Sequence, residues 1–244
     1  MLTVQAVVQQ FTEEVCALKA RIKFRKFGAM KFIGHLDVMR FFQKVMRRAD
    51  IPIAFTGGFS PHMIMSFANP LGVGVTSDGE YFDIELTEEI DMQAAVERMN
   101  QTVVEGIEVV NMVAISDDKK RTGMSIVAAA DYLSNVKGDV FPENWKEKAE
   151  GFMSQPEICI LKKTKKSEKE VDIKPMIYKF EIREEGVYMQ VATGSVENLK
   201  PEVVMQALCQ YLGVDSEGVS FVHHRLEVYA DNGNKEFVSL DKVW

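Results

Sequence analysis

His35 and His62 are the side chains best suited to proton transfer, and both fall in Phe24–Tyr81, the stretch that holds most of the chemistry in this sequence. A histidine at a helix start, opposite a second on a loop, makes an acid/base pair able to cleave RNA without a metal. His35 turned toward a sheet serves instead as a hydrogen-bonded lock on the helix start, the role its position favours; His62 stays open between the two. His35-x-Asp37 offers two ligands with no carboxylate cluster beside them, so no metal site is expected. Arg40, Lys44, Arg47 and Arg48 recur at helical spacing, and a row of guanidinium forks of this kind suits phosphates. The plain alternative is a solvated face paired with Asp37 or with acidic residues elsewhere. Gly57-Gly58-Phe59-Ser60-Pro61-His62 adds two glycines free to take positive φ, amides able to form an anion nest, and a ring able to stack on a base. It matches no Walker or dinucleotide fingerprint, and a glycine pair also marks an ordinary turn with Phe59 as its core anchor. In the second half, Asp172, Lys174 and Arg225 are candidates for a polar groove. His223 and His224 are adjacent on a strand, point to opposite faces, and make no metal pair.

These residues need elements to hold them. Ile22, Phe24 and Phe27 alternate with Arg21, Lys23, Arg25 and Lys26, the period of a strand. Over 34–49, Val38, Met39, Phe41, Phe42, Val45, Met46 and Ala49 share one face of a helix, and Asp37, Arg40, Gln43, Lys44, Arg47 and Arg48 the other. Strands are predicted over 51–55, 63–67, 80–86 and 107–115, with a helix over 91–104. This condenses to β-α-β-β-α-β, with 63–67 lengthening the second strand or forming a hairpin beside it. After a polar linker the pattern recurs: strands at 125–136 and 157–161, helix at 142–153, strands at 171–183 and 187–193, helix at 201–212 and strand at 220–229. The predicted class is α+β, two tandem ferredoxin-like domains with antiparallel sheets. A helical extension is expected over 1–19, the first domain over 20–118, a linker over 119–124, and the second domain with a polar tail over 125–244.

At 244 residues, 46% apolar and 27% charged, the chain can bury a substantial core. Cys16, Cys159 and Cys209 form no CxxC pair, which argues against a disulfide framework, a zinc ribbon or a cluster built by this chain alone. No stretch approaches about 18 consecutive apolar residues, so no membrane span is expected. The start lacks the pattern of a signal peptide, and a cytoplasmic location is expected. The net charge of −7 is unlike most nucleic-acid binders. Locally, 17–62 carries ten basic and two acidic residues, whereas 78–118 carries twelve acidic residues and only Arg98. A basic face and an acidic face, or neighbouring ion pairs, both fit this separation.

Read in order, Phe27-Gly28, Phe32-Ile33-Gly34-His35-Leu36-Asp37, Arg40, Arg47-Arg48-Ala49, Ile51-Pro52, Gly57–His62, Phe67-Ala68-Asn69-Pro70-Leu71 and Glu80-Tyr81 resemble the radical-SAM-linked proteins. That bacterial family has a Phe-x-(Ser/Gly)-His-Leu-Asp helix start and a Gly-Phe-(Ser/Asn)-Pro-His loop. The second half is similar more loosely, through Val171-Asp172-Ile173-Lys174-Pro175 and the helix near Pro201. Gly34 stands where the family frequently has serine, so no hydroxyl is available there. The resemblance implies a radical SAM protein as partner, because members occur fused to or encoded beside such proteins. Their genes commonly lie near ribosomal-protein and RNase-type genes. This chain has no CxxxCxxC motif, so it is expected to hold no cofactor, and radical chemistry would belong to the partner. The tandem arrangement is also similar to the repeat-associated endoribonucleases of CRISPR systems, although a shared fold does not give a shared function.

The leading expectation is therefore a non-catalytic RNA-binding or substrate-presenting subunit for a radical SAM protein, linked to RNA modification or to ribosome or tRNA metabolism. Phosphate would sit on Arg40, Lys44, Arg47, Arg48 and the Gly57–His62 loop. The alternatives are a metal-independent endoribonuclease using His35 or His62, and a protein scaffold without RNA.

Overall fold

The computed structural model describes residues 18–118, 121–138, 140–163 and 168–243. The first half runs β1 (Leu18–Lys26), α1 (His35–Arg48), β2 (Met65–Ala68), β3 (Thr76–Leu86), α2 (Met92–Asn100) and β4 (Ile107–Ile115). The second runs α3 (Gly123–Ile126), β5 (Val127–Val136), α4 (Trp145–Ala149), β6 (Cys159–Lys163), β7 (Glu168–Asp172), β8 (Ile177–Arg183), β9 (Gly186–Ala192), α5 (Pro201–Tyr211), β10 (Phe221–Asp231) and β11 (Phe237–Ser239). The result is a mixed α+β protein whose sheet is mostly antiparallel. Nine strands form one sheet in the order β4-β1-β3-β10-β5-β9-β8, with β2 on β3 and β11 on β10. The two halves meet at β3 and β10, which pair in parallel, His224 opposite Thr76 and Arg225 opposite Ser77. β6 and β7 form a separate two-stranded sheet.

Two cores form, one from the first half alone and one from the second half joined by Ala68 and Tyr81 of the first, for the reasons the patterning suggests. β1 alternates, so Ala20, Ile22 and Phe24 enter the first core while Arg21, Lys23 and Arg25 face the other side. α1 presents Val38, Phe42, Val45 and Met46 to that core. Gly34 is its N-cap and contributes no side-chain hydrogen bond. Four phenylalanines from four elements meet here: Phe42 lies 4.7 Å from Phe24 and 4.6 Å from Phe82, and Phe67 stacks 4.9 Å from Phe82. In the second core, α5 buries Val204, Met205 and Leu208 against Met189, Val191 and Val228. Pro201 sits in its first turn, where the missing N–H costs nothing.

Several expectations change in detail. The helix expected over 1–19 lies outside the described residues except for its last two positions, which begin β1. Residues 51–55 are not a strand and contribute only the bridges Ile53–Leu86 and Phe55–Met63; Pro52 has no N–H to continue a ladder. The helix expected over 142–153 is cut to α4 and a 3-10 turn, Phe152–Ser154. Gly151 stands between them against Tyr211, where an added Cβ would come within 2.4 Å of the hydroxyl. The strand expected over 171–183 is split by the 3-10 turn Lys174–Met176, which contains Pro175, so β7 leaves the main sheet. The segment expected as a linker over 119–124 ends in α3, where the Gly123 amide donates to Asp83 at 2.6 Å and so ties the connection to the first half. Among the described residues no helix is long and apolar enough to cross a membrane.

Candidate functional site

The basic and acidic segments are interleaved where β1 runs. Because β1 lies between β3 and β4, its outward cations fall beside carboxylates. Lys19 pairs with Asp117 at 2.6 Å, Arg21 with Asp83 at 2.7 Å, and Arg25 with Asp78 at 2.8 Å and Glu108 at 2.9 Å. Lys23 reaches across the seam to Glu227 on β10. Four of the cations in the basic segment are thereby neutralised.

The outer face of α1 is not. Arg40 makes one exposed contact, 3.4 Å from Asp37, and exposed Lys44, Arg47 and Arg48 make no ion pair with another described residue. Leu36, one turn before Arg40, is also exposed, as is Phe32 with the Lys31 ammonium 5.1 Å from its ring centroid. The Gly57–His62 loop is a closed turn. The Thr56 amide donates to the His62 carbonyl at 2.9 Å, and the His62 amide donates to Thr56 Oγ1 at 3.1 Å. His62 Nδ1 lies 3.1 Å from the same hydroxyl, so His62 closes the turn. Gly58 takes φ +97, Gly57 and Ser60 are exposed, and Phe59 stands clear of the protein as a solvent-facing ring, not a core anchor.

His35 lies edge-on to Phe67 at 5.1 Å, half-buried, and burial pushes its pKa down. No hydrogen bond, ion pair or ring contact among the described residues joins His35 to His62, or the α1 cations to the loop. Asp172 and Lys174 serve locally: Asp172 Oδ1 accepts from the Ile158 and Lys174 amides at 2.9 and 3.0 Å, and Lys174 Nζ donates to the Gln155 carbonyl. Among the described residues no group of three or more His, Cys, Asp or Glu is placed to hold a metal ion.

Arg225 is different. It is 1% exposed, donates through Nε to Glu80 Oε1 at 2.8 Å, and donates through Nη2 to the same oxygen and to the Asn69 carbonyl. Burial alone would lower its pKa, but Glu80 and the adjoining Tyr132 hydroxyl outweigh it and hold the guanidinium protonated. Lys26 is 2% exposed, donates to the Ile33 carbonyl at 3.4 Å, and has its pKa pushed down by burial, an effect that Glu80 opposes. Arg225 lines a cleft of about 430 Å³, bounded by the 69–75 loop, the start of α5 and the start of β10.

His223 and His224 each stand between a hydroxyl and a carboxylate, on opposite sides of the sheet. His223 lies 2.8 Å from Ser134 Oγ and 2.9 Å from Glu202 at the start of α5; His224 lies 2.8 Å from Thr76 Oγ1 and 2.9 Å from Asp78. Ser134 is fully buried and meets no substrate, so the first set is a brace. The second is a clasp across the seam, completed by Arg25. Burial raises the Asp78 pKa, but the hydrogen bonds from His224 and Arg25 outweigh it and leave the carboxyl below its usual 3.8. A depressed carboxylate stabilises the fold above its unfolded pKa, and that contribution disappears as pH falls through the folded value. Asp78→Asn is therefore expected to lose less stability than the parent chain between neutral pH and about pH 3, measured by urea unfolding at both. An equal loss in the two chains would remove Asp78 from the acid response.

No signal within one short window reveals the cleft, because Glu80 and Arg225 lie 145 positions apart and meet only at the seam. Of Asp172, Lys174 and Arg225, only Arg225 reaches it.

This is an α+β protein with two cores, an unpaired cationic helix face and a cleft lined by a buried arginine. The family described as "Uncharacterized protein conserved in bacteria (DUF2344)" matches residues 19–201, and the chain belongs to it. No curated protein matches. Among solved structures, a chain of "a Cbf5-Nop10-Gar1 Complex" is similar at 14% identity and TM-score 0.46, over 86% of this chain and 48% of that one. This protein thus spans about half the length of that relative. "An Unknown Protein from Galdieria sulphuraria" is similar at 10% identity and TM-score 0.26, over 86% of this chain and 98% of that one.

Proposed function

We propose that the protein is a non-catalytic RNA-binding module, built from two tandem ferredoxin-like halves, that presents RNA to a radical SAM partner. The carrying observation is the outer face of α1. In an acidic protein whose β1 cations are neutralised, Lys44, Arg47 and Arg48 are exposed without a carboxylate partner, and Arg40 has only the exposed Asp37. Such a face gains affinity by releasing counterions from phosphates, and exposed Phe32 and Phe59 add stacking surfaces for unpaired bases. The strand orders β4-β1-β3-β2 and β10-β5-β9-β8 support the tandem reading, since both follow the split βαβ pattern. The radical SAM partner rests on the sequence resemblance alone.

Filter binding of the whole chain to tRNA and to unstructured RNA at about 50 and 200 mM salt tests the reading. Binding that weakens steeply with salt is expected. Arg40→Glu/Lys44→Glu/Arg47→Glu should flatten the log–log salt slope by about 2, three lost contacts at about 0.7 each. No binding at low salt, or an unchanged slope in the triple variant, rejects it. Recovery of a radical SAM protein from native extract, surviving nuclease, tests the partner separately.

A further inference from the structure

We propose that the seam cleft is a binding site for a nucleoside 5′-monophosphate unit. Its lining supplies the anion receptor. Arg225 is held in one orientation by Glu80 and by the Asn69 carbonyl through Nε and Nη2, bonds that leave Nη1 over, and the Tyr132 hydroxyl on the cleft wall adjoins the same guanidinium. A guanidinium already fixed and buried loses little entropy on receiving a phosphate oxygen, and the low dielectric strengthens the contact. The start of α5 opens on the same cavity with Lys200 at its N-cap, no side-chain cap, and an 11-residue helix behind it. Its partial positive charge and the exposed Lys200 reinforce the arginine. The two carboxylates nearby do not oppose this strongly, since Glu80 is engaged by Arg225 and Glu202 by His223.

The walls suit a base. Phe221 and His223 are i, i+2 neighbours on β10 with ring planes 29° apart and centroids 6.2 Å apart, and both line the cavity. Leu71 on the 69–75 loop and Pro201 on α5 flank the cavity, and Asn198 brings an amide able to read a base edge. About 430 Å³ lies within the usual range for small-molecule sites and is ample for one nucleotide. A free mononucleotide and the 5′-phosphorylated end of an RNA strand share this chemistry. The site is separate from the α1 face, so either claim can fail without the other.

The test is calorimetric titration of the whole chain with each of the four nucleoside 5′-monophosphates, and with a trinucleotide carrying either a 5′-phosphate or a 5′-hydroxyl. Saturable one-site binding of a mononucleotide is expected, weakened at least about tenfold in Arg225→Lys, which keeps the charge but loses the fork. Phe221→Ala should weaken it comparably through the lost ring, and it decides the matter if Arg225→Lys does not fold. Binding of free mononucleotides identifies a free-nucleotide site. Preference for the 5′-phosphorylated trinucleotide with little affinity for mononucleotides identifies a strand end, and both outcomes support the cleft. Retention of mononucleotide binding when filter binding of RNA fails rejects the α1 reading alone. The proposal is overturned if neither probe binds at millimolar concentration, or if both variants bind as the parent does with unchanged unfolding temperature.

Discussion

Asp83→Ala is expected to destabilise the protein by about 3–5 kcal/mol in urea unfolding, far beyond the cost of removing a surface charge. Arg21 is 0% exposed, and its Nε and Nη2 donate to the two Asp83 oxygens at 2.7 and 3.0 Å. Removing the carboxylate strands a cation that no water reaches. Its remaining partners are neutral: the Leu240 and Arg121 carbonyls at 3.0 Å and the Val243 carbonyl at 3.4 Å. The Gly123 amide would also lose its 2.6 Å acceptor. One side chain therefore ties β1 to β3, to the segment entering the second half, and to the C-terminal 3-10 turn. Arg21→Met/Asp83→Leu should recover part of the loss, because the desolvation cost of both charges disappears with them. Recovery stays incomplete, since the Gly123 amide loses its Asp83 acceptor and the carbonyls that Arg21 bonded lose that donor. A single-substitution cost under about 1 kcal/mol would show that solvent reaches Arg21 and that the pair is an ordinary surface one.

Arg21 also marks where sequence reasoning stops. Alternation in Ala20–Phe27 correctly separates a core face from a charged one, because the period of two is a backbone property. It does not show that the charged face is itself covered. That depends on Leu240 and Val243 folding back from the chain's far end. The apolar stripe of α1 was legible for the same local reason, as was α5 with Pro201 at its start. The short element at 51–55 was misread because Ile51, Ile53 and Phe55 alternate like a strand, while Pro52 and the nearby turn leave only two bridges. Charge segregation along the chain suggested two opposed faces. Antiparallel pairing of β1 with β3 instead sets Arg21 opposite Asp83, and Lys19, Arg21, Lys23 and Arg25 of the basic segment become members of ion pairs. What survives is the α1 row, on the side of the helix that packing does not use. His62 and Gly58 were singled out for chemistry because residue type alone does not distinguish a catalytic loop from a turn that closes on its own threonine.

The seam carries the second large effect. β3 and β10 share backbone pairing only where His224 faces Thr76 and Arg225 faces Ser77, and Gly79 is what allows the strands to approach beyond that point. A Cβ at Gly79 would lie 2.9 Å from the Glu227 Cα. Polar pairs close the seam, Arg225 with Glu80, His224 with Asp78, and Glu227 with Lys23 and Tyr81, beside the packing of Ala68 and Tyr81 into the second core. Glu80→Leu leaves Arg225 buried with only neutral acceptors and should cost about 3–5 kcal/mol. Because only Ala68 and Tyr81 of the first half pack into the second core, the loss should fall on the coupling of the halves, which should unfold at different urea concentrations. In a Trp244→Phe background, Trp145 fluorescence follows the second half while circular dichroism follows both. The two curves should coincide for the parent and separate for Glu80→Leu. Glu80→Leu/Arg225→Met should bring them together again by removing the stranded charge, while leaving the cleft without its anion receptor. If the curves coincide in Glu80→Leu, the seam is held by packing, and the arginine is then free to serve a ligand without also serving the fold.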